Sequence, residues 1–232
     1  SRTPDIALIG DSHAGHLASG LAELYGHRSE NVVIRLGAGC MPFFEMEVDG
    51  QNVFSCEENL INKSLEEAIA STSIKSVVLS SYALVKIQGN RGDSRNGSDS
   101  GEYVNNSSLE TVKRNVDVFR KAMNFTLERL VSSGKQVIYI VDTPELYFNP
   151  KKCVSFRPVI LPGYKLRTSC AIDKNKFEER NADYHRIVAE ARAKFPGVKF
   201  INAYEYLCEN EFCYGLVDGK LLYQSRDHLT PE

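Results

Sequence analysis

The sequence predicts an α/β protein, a three-layer α/β/α sandwich around a five-stranded parallel sheet. Two observations carry this. Five short apolar runs recur along the 232 residues, at Ile6–Ile9, Val32–Leu36, Ser76–Ser80, Gln136–Val141 and Lys199–Asn202. Such runs suit strands buried on both faces. Helical patterns stand between them, at about 13–25, 57–71, 108–133 and 175–195. Alternating strands and helices put a parallel sheet between two helical layers.

The elements follow in order. The first strand is broken by Gly10-Asp11-Ser12, and a helix is expected from about His13. The second strand runs into the glycine-rich turn RLGAGC. The third ends in Ser80, Ser81 and Tyr82, at the carboxyl edge of the sheet. Gln88 to Ser108 is polar and rich in Gly, Asn, Ser and Asp, as a surface loop would be. Its Arg91-Gly92-Asp93 is read as part of that solvated loop. The helix at 108–133 carries Leu109, Val112, Val116, Phe119, Met123, Leu127 and Leu130 at helical spacing, with Ser108 to cap it and Gly134 to end it. Pro144 to Asp173 is a long connection containing Pro150, Pro158 and Pro162, expected to form a lid or a binding edge. No repeat or domain boundary interrupts residues 1–232, so one domain is expected, a mature domain or a fragment of something larger.

Composition narrows the classes of function. Lys and Arg number 28 against 30 Asp and Glu, for a net charge of -2. With no basic stripe, a nucleic-acid partner is not expected. No apolar run approaches the roughly 18 residues of a membrane span. The six cysteines form three neighbouring pairs, Cys40 with Cys56, Cys153 with Cys170 and Cys208 with Cys213, and no C-x-x-C motif occurs. An even count spread over loops favours disulfides in an oxidising compartment. Of the many connectivities open to six cysteines, the short-range one is simplest. The other reading is six reduced thiols in a cytosolic enzyme.

Ser12 is the candidate nucleophile. A serine at a strand-to-helix turn exposes its hydroxyl near free backbone N–H groups. His228, near the other end of the chain, is the candidate base that takes its proton. The N–H groups of Ser12 and of Gly39, just after the second strand, are candidate oxyanion donors. Tyr82 is placed to line a pocket or to pack, and Ser225 is a second candidate for the pocket. Asp11 is expected to fix the turn rather than to act as an acid. His13 and His16 are spaced i, i+3, but nothing converges with them to bind a metal, so exposed or capping roles are expected and no metal or cofactor is implied. His185 is read as a surface residue. Asn62, Asn96, Asn105, Asn106 and Asn124 each fit the glycosylation acceptor pattern, which matters only in a eukaryotic lumen.

Gly10-Asp11-Ser12-His13 and Asp227-His228-Leu229-Thr230 resemble the two ends of the SGNH/GDSL hydrolase superfamily. The chain is more narrowly similar to SGNH domains fused to membrane acyltransferase-3 proteins, which O-acetylate surface polysaccharides such as lipopolysaccharide. Gly39-Cys40-Met41-Pro42, Pro144-Glu145-Leu146 before Cys153, and Cys208 and Cys213 before Asp218-Gly219 and Tyr223 add to that likeness. The resemblance implies Ser12 as nucleophile, Ser12 and Gly39 as oxyanion donors and His228 as base. It implies a carbohydrate acceptor, an acyltransferase-3 domain on the same polypeptide as acyl supplier, and a periplasmic or extracellular position tethered to the membrane. The function it implies is O-acetyl transfer through an acyl-serine. A carbohydrate O-acetyl esterase and a non-catalytic glycan-binding module are the alternatives. The chain departs from the superfamily twice. The superfamily's asparagine after the third strand is absent, as it commonly is in the fused subgroup, and Ser225 stands where an aspartate three residues before the histidine belongs. Three readings of the acid stay open: Asp227 orients His228; Ser225, water or a carbonyl does; or the site is weakened.

Overall fold

The computed structural model describes residues 3–45, 47–48, 51–52, 56, 59–88, 108–154 and 169–230. The Arg91-Gly92-Asp93 stretch, Asn96, Asn105, Asn106, Pro158 and Pro162 lie outside the described residues. Five strands form the main sheet: β1 (Ile6–Gly10), β2 (Val32–Leu36), β3 (Ser76–Ser80), β4 (Gln136–Val141) and β5 (Lys199–Asn202). Their order is β2-β1-β3-β4-β5 and every pairing is parallel. The order reverses between β1 and β3. Open α/β sheets bind ligands beyond the carboxyl ends of strands at such a point.

Period-two alternation divides the strands between two cores. Ala7, Ile9, Val77, Leu79, Val137, Tyr139 and Val141 face one side. They are covered by α3 (Leu60–Ala70), α4 (Ala83–Gln88), α5 (Leu109–Ser132) and α7 (Ala182–Lys194). Ile6, Leu8 and Val78 face the other, under Ala14 of α1 (Ser12–Gly15) and Ala18, Leu21 and Tyr25 of α2 (Ala18–Gly26). The sandwich is therefore lopsided, with the larger core beneath α5.

The helices depart from the expected ranges at identifiable places. The single helix expected at 13–25 is two, because Leu17 N–H bonds back to Ala14 O and the regular ladder breaks at His16–Leu17. The helix expected at 175–195 is also two, α6 (Lys174–Arg180) and α7. They meet at Asn181, a buried residue whose side chain donates to the Phe177 carbonyl. Ser108 does cap α5, accepting from Thr111 N–H, but Leu109 is 71% exposed and is not part of its apolar face. α4 was not expected at all.

The described part of the 144–173 connection is packed. Leu146 and Phe148 are buried with Ile172, Phe177, Cys213 and Tyr223 in a third apolar cluster. That cluster underlies the C-terminal segment. Tyr223 is fully buried and donates its hydroxyl to the Pro144 carbonyl, and Leu146 N–H bonds Arg226 O at 2.6 Å. The segment 222–230 is itself a tight hairpin. Tyr223 bridges Leu229, Thr230 N–H bonds Leu222 O, and Gln224 N–H bonds His228 O. Its tip holds Ser225, Asp227 and His228.

All three neighbouring cysteine pairs are bonded: Cys40–Cys56, Cys153–Cys170 and Cys208–Cys213. No helix among the described residues is long and apolar enough to cross a membrane.

Candidate active site

β1 delivers Ser12 to the carboxyl edge. The turn that does so needs Gly10, since a Cβ there would collide with the Ser80 carbonyl and the Ala14 methyl. Asp11 fixes the turn from both sides. Its Oδ1 accepts from His13 N–H at 2.8 Å as the cap of α1, and its Oδ2 accepts from Tyr82 N–H at 3.0 Å, which ties β1 to the end of β3. Burial pushes the Asp11 carboxyl up, against the opposing pull of His13 and these two N–H groups. Ser12 itself stays exposed.

The hairpin tip brings the other end of the chain over Ser12. His228 Nε2 lies 3.0 Å from Ser12 Oγ. His228 Nδ1 lies 2.8 Å from Asp227 Oδ1 and 3.1 Å from Ser225 Oγ. Ser225 donates its hydroxyl to Asp227 Oδ1 at 2.8 Å and accepts from His228 N–H at 3.2 Å. Ser225 and Asp227 thus share the task of facing Nδ1, with the carboxylate closer. The tight turn is what lets a carboxylate one residue away reach the ring. Burial works against the Asp227 charge, but hydrogen bonds from His228 and Ser225 outweigh it and hold the carboxyl below the usual range.

The second glycine turn is bonded to the end of β1. Cys40 N–H bonds Gly37 O and Gly37 N–H bonds Gly10 O, each at 3.0 Å. Gly39, at φ +64°, occupies the left-handed position of this turn, where a side chain would be strained. Gly37 is the residue that sequence reasoning missed: a Cβ on it would run into both sulfurs of the Cys40–Cys56 disulfide. The disulfide therefore braces the turn that carries Gly39.

Two expectations are corrected, those for His13 and His185. His13 is neither exposed nor a cap: it is 4% exposed, and its Nδ1 lies 2.7 Å from Asp142 Oδ1 at the end of β4. His16 stands at the C-cap of α1, as a capping role would have it, and is half-buried, accepting weakly from Leu229 N–H at 3.5 Å. Burial, with the charges of His13 and His228, pushes its pKa down to about 4. His185 is also half-buried, stacked on Tyr204 at 5.2 Å and edge-on to Phe177. Tyr82 packs rather than lining open space. It is 5% exposed, and its ring stacks on His13 at 4.5 Å. A carboxylate at the end of an apolar strand, VIYIVD, was the signal that could have flagged Asp142.

One donor atom each from His13, Asp227 and His228 fall within 4.8 Å of one another, the one metal-type grouping among the described residues. A cation there would have to compete with the His228–Asp227 hydrogen bond. The arrangement without one is a serine with a base at hydrogen-bond distance and a carboxylate on the base's far nitrogen. Such an arrangement can activate a hydroxyl nucleophile and stabilise the imidazolium that forms.

A flavodoxin-like strand order with a serine at the β1 turn and a histidine on a C-terminal hairpin defines an α/β domain of the SGNH type. The whole chain, residues 1–232, matches the SGNH domain (fused to AT3 domains), and the protein belongs to that family. It is accordingly an SGNH-type enzyme, of a class that transfers or hydrolyses acyl groups. Among solved structures it is similar to the lipopolysaccharide acetyltransferase periplasmic domain of Salmonella ser. Paratyphi A. The identity is 20%, the match covers 100% of this chain and 79% of that one, and the TM-score is 0.58. A GDSL-like lipase of Bacteroides thetaiotaomicron matches at 12% identity over 97% of this chain and 79% of that one, with a TM-score of 0.46. No curated protein matches the chain.

Proposed function

We propose that the protein is an extracytoplasmic O-acyltransferase domain that moves an acetyl group to a carbohydrate hydroxyl of a surface polysaccharide. The observation that carries the reading is the 3.0 Å approach of His228 Nε2 to an exposed Ser12 Oγ. His228 takes the Ser12 proton as the oxygen attacks the acyl carbonyl of a donor. The tetrahedral oxyanion is held by the N–H groups of Ser12 and Gly39. His228 returns the proton to the leaving group, which departs and leaves acyl-Ser12. The sugar hydroxyl then attacks the acyl-Ser12 carbonyl while His228 accepts its proton, and that proton goes to Ser12 as it leaves. Asp227 steadies the imidazolium in both halves. The family's fusion to AT3 domains supports a membrane acyl supplier on the same polypeptide. Three disulfides suit the oxidising side of a membrane.

The exposure of Ser12 favours one second reading, a carbohydrate O-acetyl esterase, because water reaches the same acyl-serine. The test is incubation with 4-nitrophenyl acetate followed by intact mass and product analysis, with and without an oligosaccharide. An acetyl adduct absent from Ser12→Ala, passed to the sugar, supports transfer. An adduct passed only to water makes the protein an esterase. No adduct and no Ser12-dependent turnover would leave a glycan-binding module.

A further inference from the structure

The site's most conspicuous unused group is His13. It is buried directly behind the pair that the mechanism uses, and the mechanism gives it nothing to do. Its Nδ1 is fixed by Asp142 at 2.7 Å, a contact spanning 129 residues of sequence. Its Nε2 is buried with no hydrogen-bond partner among the described residues. Its ring lies 5.3 Å from the His228 ring in an edge-on contact and stacks flat on Tyr82. One of its nitrogens falls within 4.8 Å of ring or carboxylate atoms of both His228 and Asp227. The cavity bordered by His13, His16, Asp142 and Leu229 measures about 10 Å³, room for no more than one water. No substrate group reaches His13 from that side.

We propose that His13 is a positioning residue of this site: clamped by Asp142 and Tyr82, it backs Asp227 and His228 and holds the hairpin tip in register over Ser12. The proposal rests on the reading that Ser12 and His228 carry the reaction. The hairpin is tied to the β1–β3 edge by few polar contacts of its own. The His228–Ser12 bond is one, and the 3.5 Å bond from Leu229 N–H to His16 is another. A rigid ring behind the tip supplies the missing restraint, since catalytic side chains need support that locks their geometry. Charge acts in the same direction. The groups facing His13 are Asp11 and His16 on its own segment, Tyr82 after β3, Asp142 after β4, and Asp227 and His228 on the hairpin. Burial opposes a charged ring there, but the Asp142 carboxylate, with Asp11 and Asp227 behind it, more than offsets this and raises the His13 pKa. Positive charge on His13 attracts the Asp227 carboxylate and favours its ionised form.

His13→Gln and Asp142→Asn separate this role from simple packing. The 232-residue chain is assayed with 4-nitrophenyl acetate from pH 5 to 9. Each variant is expected to lower kcat by roughly 10–100-fold with KM nearly unchanged, as loss of alignment does. The double variant should be no worse than the poorer single one, because Asp142 acts through His13. Rates within about twofold of the parent, or additive losses in the double variant, would overturn the proposal. Proton NMR of the ¹⁵N-histidine-labelled chain gives a reading without turnover. The low-field resonance of the His228–Asp227 hydrogen bond should be sharp in the parent and broadened in His13→Gln; a sharp, unshifted signal in the variant sinks the proposal. If the parent shows no Ser12-dependent turnover, the functional reading fails while the NMR comparison still decides the role of His13.

Discussion

The adjacent aspartate is the sharpest point at which this site can be tested. Asp227 Oδ1 sits 2.8 Å from His228 Nδ1, with Ser225 Oγ at 3.1 Å as a second acceptor. In the proposed reaction His228 takes the Ser12 proton, and a unit positive charge then develops about 4 Å from the centre of a carboxylate. At an effective dielectric near 20 that attraction is about 4 kcal/mol, or about a thousandfold in rate. Asp227→Ala removes the charge but leaves Ser225 to accept from Nδ1–H, so the useful tautomer survives and the loss should stay near 10³. Asp227→Asn removes the charge and can present an N–H to Nδ1, which stabilises the wrong tautomer; about 10⁴ is expected. Ser225→Ala keeps the carboxylate contact and loses one charge-assisted hydrogen bond, worth roughly 1.5 kcal/mol or about tenfold. The assay is kcat/KM on 4-nitrophenyl acetate, with the Ser12→Ala rate subtracted and thermal unfolding followed in parallel. If Asp227→Asn stays within tenfold of the parent, Asp227 is not the orienting carboxylate. If Ser225→Ala costs more than Asp227→Ala, the hydroxyl is the principal partner.

Two further outcomes concern stability. His16 is held neutral down to about 4, from an ordinary value of 6.5, so the folded chain binds fewer protons than the unfolded one in that window and stability falls as pH drops through it. The raised pKa of His13 has the opposite sign: its contribution is full below 6.5 and is lost as pH rises through the folded value. The lowered Asp227 contributes above 3.8 and is lost as pH falls through its folded value. His16→Gln should therefore flatten the decline in Tm between pH 6.5 and 4, and an unchanged slope would contradict this placement of His16. Replacing Cys40 and Cys56 together by serine opens a loop with a sequence separation of 16. About 3 kcal/mol of stability should go, seen as a Tm lower by roughly 6–12 °C. Turnover should fall as well, because the disulfide braces the Gly39 turn; a lower Tm with full turnover at 25 °C would show that the turn holds without it.

What could be read from the sequence follows the range of the forces involved. Each strand of a covered parallel sheet must be apolar in one short stretch, so all five were legible, as was α5 with its Ser108 cap. The breaks at His16–Leu17 and at Asn181 were not. Leu17 keeps helical dihedrals (φ -87°, ψ -12°), and only its hydrogen-bond partner changes, while Asn181 departs from the helix in its dihedrals (φ -93°, ψ 7°) with its side chain bonded to the Phe177 carbonyl. The two catalytic candidates stood out because each lies in a local motif, even though 216 residues separate them. The groups that hold them have no local motif to be found by. Asp142 reaches His13 across 129 residues, and Gly37 is required only because a disulfide packs on it.

The acid illustrates the same limit. A carboxylate three residues before a histidine and one immediately before it can deliver the same oxygen to Nδ1, provided the backbone differs. Here the difference is the five-residue tip between Gln224 N–H and His228 O, pinned by Tyr223 to Pro144 and by Leu146 to Arg226. Spacing in the chain therefore describes the hairpin, and the geometry at His228 describes the chemistry. Substitutions that loosen the hairpin, such as Tyr223→Phe, which removes its hydrogen bond to the Pro144 carbonyl while keeping the buried ring, should reduce turnover through His228 without touching a reacting atom.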